Sequence, residues 1–164
     1  MSEILIGLLV GTAVSGLIPV VNAEVLVVGA ALAVPGIGVP LVAAVSAVGQ
    51  MSTKTLLFGV ARWAPHKLPA KARTVLERFS RSVPSRGRAA SSLVFTSAAV
   101  GLPPFYGVSL AAGALGMRTR SFVLSGAAGR LVRFGVLAWA ARNVGEGVLE
   151  LLAAQPIVAA GVGG

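Results

Sequence analysis

Residues 91–117 read SSLVFTSAAVGLPPFYGVSLAAGALGM, an apolar stretch that a Pro-Pro pair breaks at its centre and that Arg118 and Arg120 follow. One helix crossing a membrane here would place both arginines on the opposite side from the basic residues that precede the stretch. Short loops rich in Lys and Arg collect on one side of a membrane. The sequence therefore predicts a re-entrant hairpin, two short helices that enter and leave on one face around a proline break. The residues of the break are Gly101, Leu102, Pro103 and Pro104.

The composition predicts an integral membrane protein. Of 164 residues, 55% are hydrophobic and 12% are charged, with a mean hydropathy of +0.88, and so short a chain cannot bury that much apolar surface. The formal net charge is +9, but the cations lie in loops between apolar segments, where they orient a membrane protein and attract anionic headgroups. We therefore expect membrane lipids as partners and no nucleic acid. The lack of cysteine excludes disulfides and thiol chemistry.

The first apolar stretch, residues 4–33, is interpreted as a second re-entrant hairpin. Pro19 lies near its middle, and Asn22 and Glu24 follow shortly after. The alternative is a full crossing by residues 4–21 and a short interfacial helix, because roughly eighteen apolar residues are enough to cross. The sequence does not decide between these two arrangements.

Two longer apolar segments, residues 41–63 and 121–142, predict helices that cross the membrane. Turn residues between 35 and 40 predict a loop before the first of them. The tail, residues 143–164, predicts either a surface helix or a short final crossing. The whole chain, residues 1–164, is thus expected to form a single membrane domain.

Residues 62–90 hold most of the cations and predict a cytoplasmic loop. Within residues 64–90, apolar side chains recur at helical spacing between prolines, which predicts an amphipathic helix on the inner membrane surface. The alternative is a linker that only sets orientation. The cations of the predicted membrane-surface helix are Lys71, Arg73, Arg78 and Arg81.

An internal repeat relates the two halves of the chain. KTLLFGVARWA at residues 54–64 matches RLVRFGVLAWA at 130–140 at five positions, with Lys54 aligned to Arg130. The two proline breaks align in the same order, although segments rich in Gly and Ala also match by chance. If each half makes one full crossing, the copies are inverted, as in many transporters. The predicted fold is all-α, with two inverted repeats, each a re-entrant hairpin followed by a transmembrane helix, plus a cytoplasmic amphipathic helix.

Glu24 is the strongest candidate for function in the first half. It is the acidic residue that lies within an apolar stretch, and a carboxylate at membrane depth is costly unless it is protonated, paired or hydrated. A functional Glu24 would bind substrate or couple an ion. The alternative is that it lies at the water interface and ends the hairpin.

Arg130 and Arg133 are the corresponding candidates in the second half. Arg130 lies near the middle of its predicted crossing, where an arginine costs roughly 3 kcal/mol on insertion scales and needs a counter-charge. Arg133, three residues further on, is near enough to share a helix face. Two guanidinium groups suit a phosphate, which they bind bidentately. The alternative is an ion pair between Arg130 and Glu24 that holds the two repeats together.

The remaining polar residues are weaker candidates, because such groups often hydrogen-bond a neighbouring helix. Trp63, Trp139 and Tyr106 are interpreted first as interface anchors. No nucleophile–base pair, metal-ligand cluster or phosphate-binding glycine loop can be built from the sequence, so we predict a protein that is not an enzyme and has no metal site or cofactor. The weaker candidates are Asn22, Gln50, Ser52, Thr53, Lys54 and Tyr106.

Three short motifs follow one another between residues 11 and 141. The first is a proline-then-glutamate segment, the second a Gly-Gln pair followed by Phe-Gly, and the third an Ala-Gly, Met, Phe pattern. Their order and spacing carry more weight than any single one. They are IPVVNAE at 18–24, Gly49-Gln50 with Phe58-Gly59, and Ala112-Gly113 with Met117 and Phe122.

In these motifs the chain resembles the DedA or VTT-domain membrane proteins, also called the SNARE-associated Golgi protein family, and most of all their short YqaA-type bacterial branch. The resemblance implies two re-entrant hairpins entering from opposite faces and a role in moving lipids, with polyprenyl phosphate or phosphatidylethanolamine as substrate and proton coupling. Glu24 matches the acid of the family's first hairpin. The second hairpin departs from the longer DedA proteins, which carry arginines around the proline, so phosphate binding would fall to Arg130 and Arg133.

The sequence thus predicts a multi-pass protein of the bacterial inner membrane that acts as a lipid flippase or scramblase. A headgroup would enter a hydrated cavity lined by Glu24, Arg130 and Arg133, and protonation of Glu24 would release its arginine for phosphate. The alternatives are a small-solute or cation exporter that uses Glu24, and a non-transporting scaffold that recruits partners through the basic helix. Because the predicted crossings and hairpins are few, two copies of the chain could assemble as a homodimer.

Overall fold

Helices and short connections make up all of the chain that the computed structural model describes, and no strand occurs in that part. The prediction of an all-helical fold is confirmed. The described residues are 1–18, 21–34, 36–81, 83–84 and 87–145. The helices are α1 (Ser2–Leu17), α2 (Ala23–Ala33), α3 (Val39–Trp63), α4 (Ala70–Ser80), α5 (Gly87–Val100), α6 (Phe105–Ala114) and α7 (Thr119–Val144), with a short 3₁₀ helix at Pro65–Lys67.

Helices α3 and α7 are long and apolar enough to cross a membrane, by length and composition. They have 25 and 26 residues, roughly 38 and 39 Å at 1.5 Å per residue, against a hydrocarbon core of about 30 Å. Helices α1, α2, α5 and α6 have 16, 11, 14 and 10 residues. Because the longest of these four reaches only about 24 Å, none of them covers the full core.

Both apolar stretches with a central proline are broken into two helices. In the first, α1 ends at Leu17 and α2 begins after Asn22; the predicted break residue Pro19 lies outside the described residues, as does the tail from residue 146. In the second, Gly101 takes a left-handed conformation with φ of +91°, and the Leu102-Pro103 peptide bond is cis. Helix α5 starts at Gly87, four residues before position 91, because Ala89 and Ala90 favour a helix and extend it into the stretch that the sequence analysis assigned to the loop.

The contacts divide the chain into two compact units, which we call the first unit (Met1–Gln50 and Leu131–Gly164) and the second unit (Met51–Arg130). The boundary falls once within α3 and once within α7. Each unit therefore contains one broken helix pair and one part of each long helix.

In the first unit, α1 packs against α2, and the core includes Val27, Val28, Val42 and Phe134, all fully buried. Gly49 marks the closest approach of α3 to α1: a Cβ atom there would overlap a backbone carbonyl oxygen and a hydroxyl of α1. Such backbone contact requires small residues at helix crossings.

In the second unit, α6 packs against both α4 and α5. Phe58 stacks on Phe122 with ring centroids 4.5 Å apart, and Phe105 lies 6.1 Å from the other side of Phe122. Gly113 of α6 touches the backbone of Phe58, so a Cβ atom at this position would overlap its carbonyl. This glycine belongs to the third sequence motif, and the contact explains why a side chain does not fit there.

The amphipathic helix is present as α4, but its apolar face packs within the protein. Leu68 and Ala72 are buried against α3 and α6, and the Phe79 ring lies against Gly107, where a Cβ atom would meet it at 2.7 Å. The lack of a side chain at Gly107 makes room for the ring. The sequence placed this face on the membrane surface, whereas the structure shows it covering α6. The cations Lys71, Arg73, Arg78 and Arg81 are exposed.

Candidate functional site

An ion pair lies directly after the break in the first unit. The Arg133 side chain donates through Nε to Glu24 Oε1 at 2.8 Å and through Nη2 to the same oxygen. The two side chains are 20% and 17% exposed, so both charges are largely removed from solvent. The alternative prediction named Arg130 as the partner of Glu24; the structure shows Arg133 instead.

The start of α2 explains why Glu24 is held in place. Asn22 is the N-cap of this helix, and its Oδ1 accepts a hydrogen bond from the Glu24 backbone N–H at 2.9 Å. A carboxylate in the first turn also interacts favourably with the positive end of the helix dipole. Asn22, predicted as a weak ligand candidate, therefore positions the acid.

Gln50 lies at the crossing of α3 with α1. It is 7% exposed, and its Nε2 reaches Ser15 Oγ at 3.4 Å, while among the described residues its Oε1 has no hydrogen-bond partner. Ser15 donates to the carbonyl of Thr12 at 2.7 Å. The second unit begins at the next residue, so within the first unit Gln50 joins α3 to α1.

In the second unit, two cations are buried together on aromatic rings. Lys54 and Arg130 are 5% and 7% exposed, and they are near enough for the charge of Arg130 to act on the Lys54 ammonium. Lys54 Nζ lies 5.0 Å from the ring centroid of Tyr106, and Arg130 Cζ lies 4.7 Å from that of Phe105. Both contacts have cation–π geometry.

The break in the second helix pair positions these two rings. Pro104 is the N-cap of α6, so Phe105 and Tyr106 form the start of the helix. Ser97 of α5 donates its hydroxyl to the Pro103 carbonyl at 2.5 Å, which ties the end of α5 to the break. The predicted break at Gly101, Pro103 and Pro104 therefore determines where the rings of Phe105 and Tyr106 lie.

Two arginines that the sequence analysis did not single out fasten the loops after α2 and α6. Arg142, in the last turn of α7, donates to the carbonyls of Ala31, Val34 and Ile37. Arg62, in the last turn of α3, donates to the Met117 carbonyl at 2.6 Å. Basic residues commonly bind carbonyls near helix C-termini, so their position in the last turn was the available signal.

A cavity of about 760 Å³ opens at one end of the α5–α6 pair. Arg88, from the first turn of α5, and Arg118, after α6, both line it. The apolar helix pair therefore begins and ends at the same place. Of the other predicted polar residues, Ser52 is exposed and Thr53 is buried.

No known protein family, curated protein or solved structure matches this chain. The resemblance to DedA proteins therefore rests on the motif residues alone and stays a prediction. The structure adds two findings about charge. Glu24 and Arg133 form an ion pair in the first unit, and Lys54 and Arg130 lie near each other in the second unit.

Proposed function

We propose that the chain is an integral protein of the bacterial inner membrane, of the DedA or VTT type, that moves lipids with a phosphate-bearing headgroup across the bilayer as a flippase or scramblase. The observation that carries this proposal is the distribution of side chains around the two long helices. On both helices several large apolar side chains are exposed to the surroundings, while polar or charged side chains near the middle of the helix are buried.

Helix α3 displays this inverted pattern over its whole length. Leu41, Val48, Leu56 and Trp63 are 46%, 60%, 60% and 71% exposed, and they recur every seven or eight residues, which places them on one side of the helix. Several polar side chains of the same helix are buried. In water such a helix would expose an apolar stripe and bury polar groups, whereas in lipid both choices are favourable. The buried polar residues are Ser46, Gln50, Thr53 and Lys54.

Helix α7 follows the same rule. Leu124, Val132, Val136 and Trp139 are exposed, while Arg130 is buried. A midplane arginine in a lipid-facing helix is a marker of a pathway or binding site for polar substrates. We therefore place α3 and α7 across the membrane with their charged sides turned away from lipid.

The two helix pairs are proposed to be re-entrant. Their helices are too short to cross, and Arg88 and Arg118 line one cavity, which supports entry and exit of α5 and α6 on one face. Because these helices are shorter than the hydrocarbon core, their breaks would lie within it, where irregular backbone needs protein or water around it. The Glu24 and Tyr106 side chains follow directly after those breaks.

The burial of equivalent positions supports the proposed duplication. Lys54 and Arg130 are both buried, and Phe58 and Phe134 are both fully buried. Trp63 and Trp139 are exposed at 71% and 60%, as expected for anchors at the two membrane interfaces. We propose that these are two inverted copies of one hairpin-plus-crossing plan.

The charges favour a lipid phosphate as the transported group. In the second unit, Lys54 and Arg130 are buried near each other against the rings of Tyr106 and Phe105, and a bound phosphate would interact favourably with both charges. In the first unit, Arg133 is held by Glu24; protonation of Glu24 would weaken this pair and free the guanidinium for a headgroup oxygen. A cation exporter is less favoured, because the Glu24 carboxylate already binds a cation of the protein itself.

The test is lipid translocation in reconstituted vesicles, followed with a fluorescent phosphatidylglycerol and a reducing agent that bleaches the outer leaflet. We expect Glu24→Gln and Arg130→Leu to lower the rate on the order of tenfold or more, and Gly135→Ala, in open space on α7, to leave it unchanged. Unchanged rates in both charge variants would remove these residues from transport. Ion flux without lipid movement would favour the exporter instead.

A further inference from the structure

We propose that the cavity at the base of the α5–α6 pair is a phosphate-binding site on the membrane surface, separate from the charged groups at the hairpin breaks. Its lining combines the guanidinium groups of Arg88 and Arg118 with the hydroxyls of Ser91, Ser92 and Ser121. None of the described residues that line it is acidic. The cavity thus offers charged donors and hydroxyl donors to an anion.

The chemistry of these donors points to a phosphate group. Arginine pairs with phosphate through two parallel N–H···O bonds, and such charge-assisted bonds are about twice as strong as neutral ones. Serine hydroxyls can rotate to donate to the remaining oxygens. Both arginines are exposed, so they are accessible to a ligand without rearrangement of the core.

The backbone around the cavity fits the same ligand. Helices α5 and α7, of 14 and 26 residues, both begin at the cavity, and the first N–H groups of a helix attract anions. Gly87 and Gly116 take φ values of +83° and +73°, and a Cβ atom at either would meet nothing within 4 Å. A ligand can therefore approach the backbone closely on both sides.

The size of the cavity indicates more than a bare phosphate ion. At about 760 Å³ it falls in the range of sites for small organic ligands, roughly 300–1,000 Å³. The shared chemistry is a phosphate monoester or diester. Its source is either a lipid headgroup at the membrane surface or a free phosphate compound.

Binding can be measured on the full chain in neutral detergent, without transport, so this proposal and the proposed function fail independently. We would titrate dihexanoyl phosphatidic acid, inorganic phosphate and, as the uncharged control, dihexanoyl glycerol, by calorimetry. We expect saturable binding of the two phosphates and none of the control. Tighter binding of the phosphatidic acid by about tenfold would assign the site to lipid headgroups, and equal binding would assign it to free phosphate compounds.

Variants of the cavity decide whether the binding is located there. Arg88→Gln and Arg118→Gln should each weaken binding on the order of tenfold, and Ser92→Glu, which puts a carboxylate beside the arginines, should abolish it.

The matched controls are Arg78→Gln and Arg120→Gln. They remove the same charge from exposed positions that do not line the cavity and should change affinity less than twofold. Equal losses in all four arginine variants, or no saturable binding by the wild-type chain, would overturn the proposal. Since the substituted side chains are exposed, retained helical content confirms that each variant is folded.

Discussion

The two units differ in the charged side chains that lie next to their helix breaks. In each, a helix begins directly after a break, and its second residue faces a cation from a long helix. In the first unit that residue is Glu24, and it forms an ion pair with Arg133. In the second unit it is Tyr106, whose ring faces Lys54 while Phe105 faces Arg130. The first unit thus holds an ion pair after its break, and the second unit holds two cations against aromatic rings.

We expect this difference to affect how each unit responds to substitution. In the first unit, the two charges of the ion pair balance each other. In the second unit, the proposed function predicts that a bound anion interacts favourably with Lys54 and Arg130. Substitutions that should change stability by different amounts in the two units test this comparison.

The largest effect is expected where both units are alike, at the glycines of closest helix approach. Gly49→Val and Gly113→Val would force a side chain into a neighbouring helix backbone and should lower the free energy of unfolding by about 3 kcal/mol or more. Unfolding in mixed detergent micelles measures this. Gly135→Ala, with nothing near its Cβ position, should be neutral or stabilise by up to about 1 kcal/mol. If Gly113→Val were as stable as that control, the close contact of α6 with α3 would be wrong.

The ion pair should give the next largest effect. Glu24→Gln or Arg133→Gln leaves the other charge partly buried and should cost about 2 kcal/mol, less than for a fully buried pair because both groups keep some exposure. The double variant should be more stable than the sum of the two losses predicts. Additive losses in this double-mutant cycle would show that the two side chains do not interact in solution.

The sequence predicted the organisation of the fold better than the partners within it. Long apolar segments and the proline breaks indicated the helices, because their lengths and breakers are local properties. The partner of Glu24 could not be predicted, because residues three apart on a helix point about 60° apart and can face different neighbours. For that reason Arg130 and Arg133, which the sequence analysis assigned to one phosphate, have different contacts: Arg133 binds Glu24, and Arg130 faces Phe105.

What covers the apolar face of the amphipathic helix α4 could not be predicted from the sequence either. Its period identified a helix with an apolar face, but a periodic pattern does not say whether lipid or protein covers that face. Gly107, which admits the Phe79 ring, lies far along the chain and carries no pattern of its own. The cavity arginines were visible in the sequence only as topology signals, since their proximity depends on the turn between α6 and α7.

A smaller effect is expected at the arginines that fasten the loops. Arg142 contacts three carbonyls and Arg62 one. Arg142→Gln should therefore cost about 1 to 2 kcal/mol and Arg62→Gln about 1 kcal/mol. Chemical unfolding of the two variants side by side measures the order. The reverse order would mean that the loop after α6 depends more on its arginine than the contacts imply.

The smallest effect, and the sharpest contrast with the ion pair, is expected at Lys54. Lys54→Met removes a buried charge that lies near Arg130 and keeps most of the side-chain volume, so we expect it to change stability less than Glu24→Gln does. Added phosphatidylglycerol should raise the melting temperature of the wild-type chain more than that of the variant. A loss of stability as large as that of Glu24→Gln would contradict the assignment of a positively charged site to the second unit.

The central claim is that half-length helix pairs re-enter the membrane while α7 crosses it, and cysteine labelling tests this most directly, since the chain has no cysteine of its own. Single cysteines at Arg88, Arg118 and Asn143 would be exposed in turn to a membrane-impermeant maleimide in right-side-out and inverted vesicles. The account predicts that Arg88→Cys and Arg118→Cys react from the same side and Asn143→Cys from the opposite side. Labelling of positions 88 and 118 from opposite sides would contradict it.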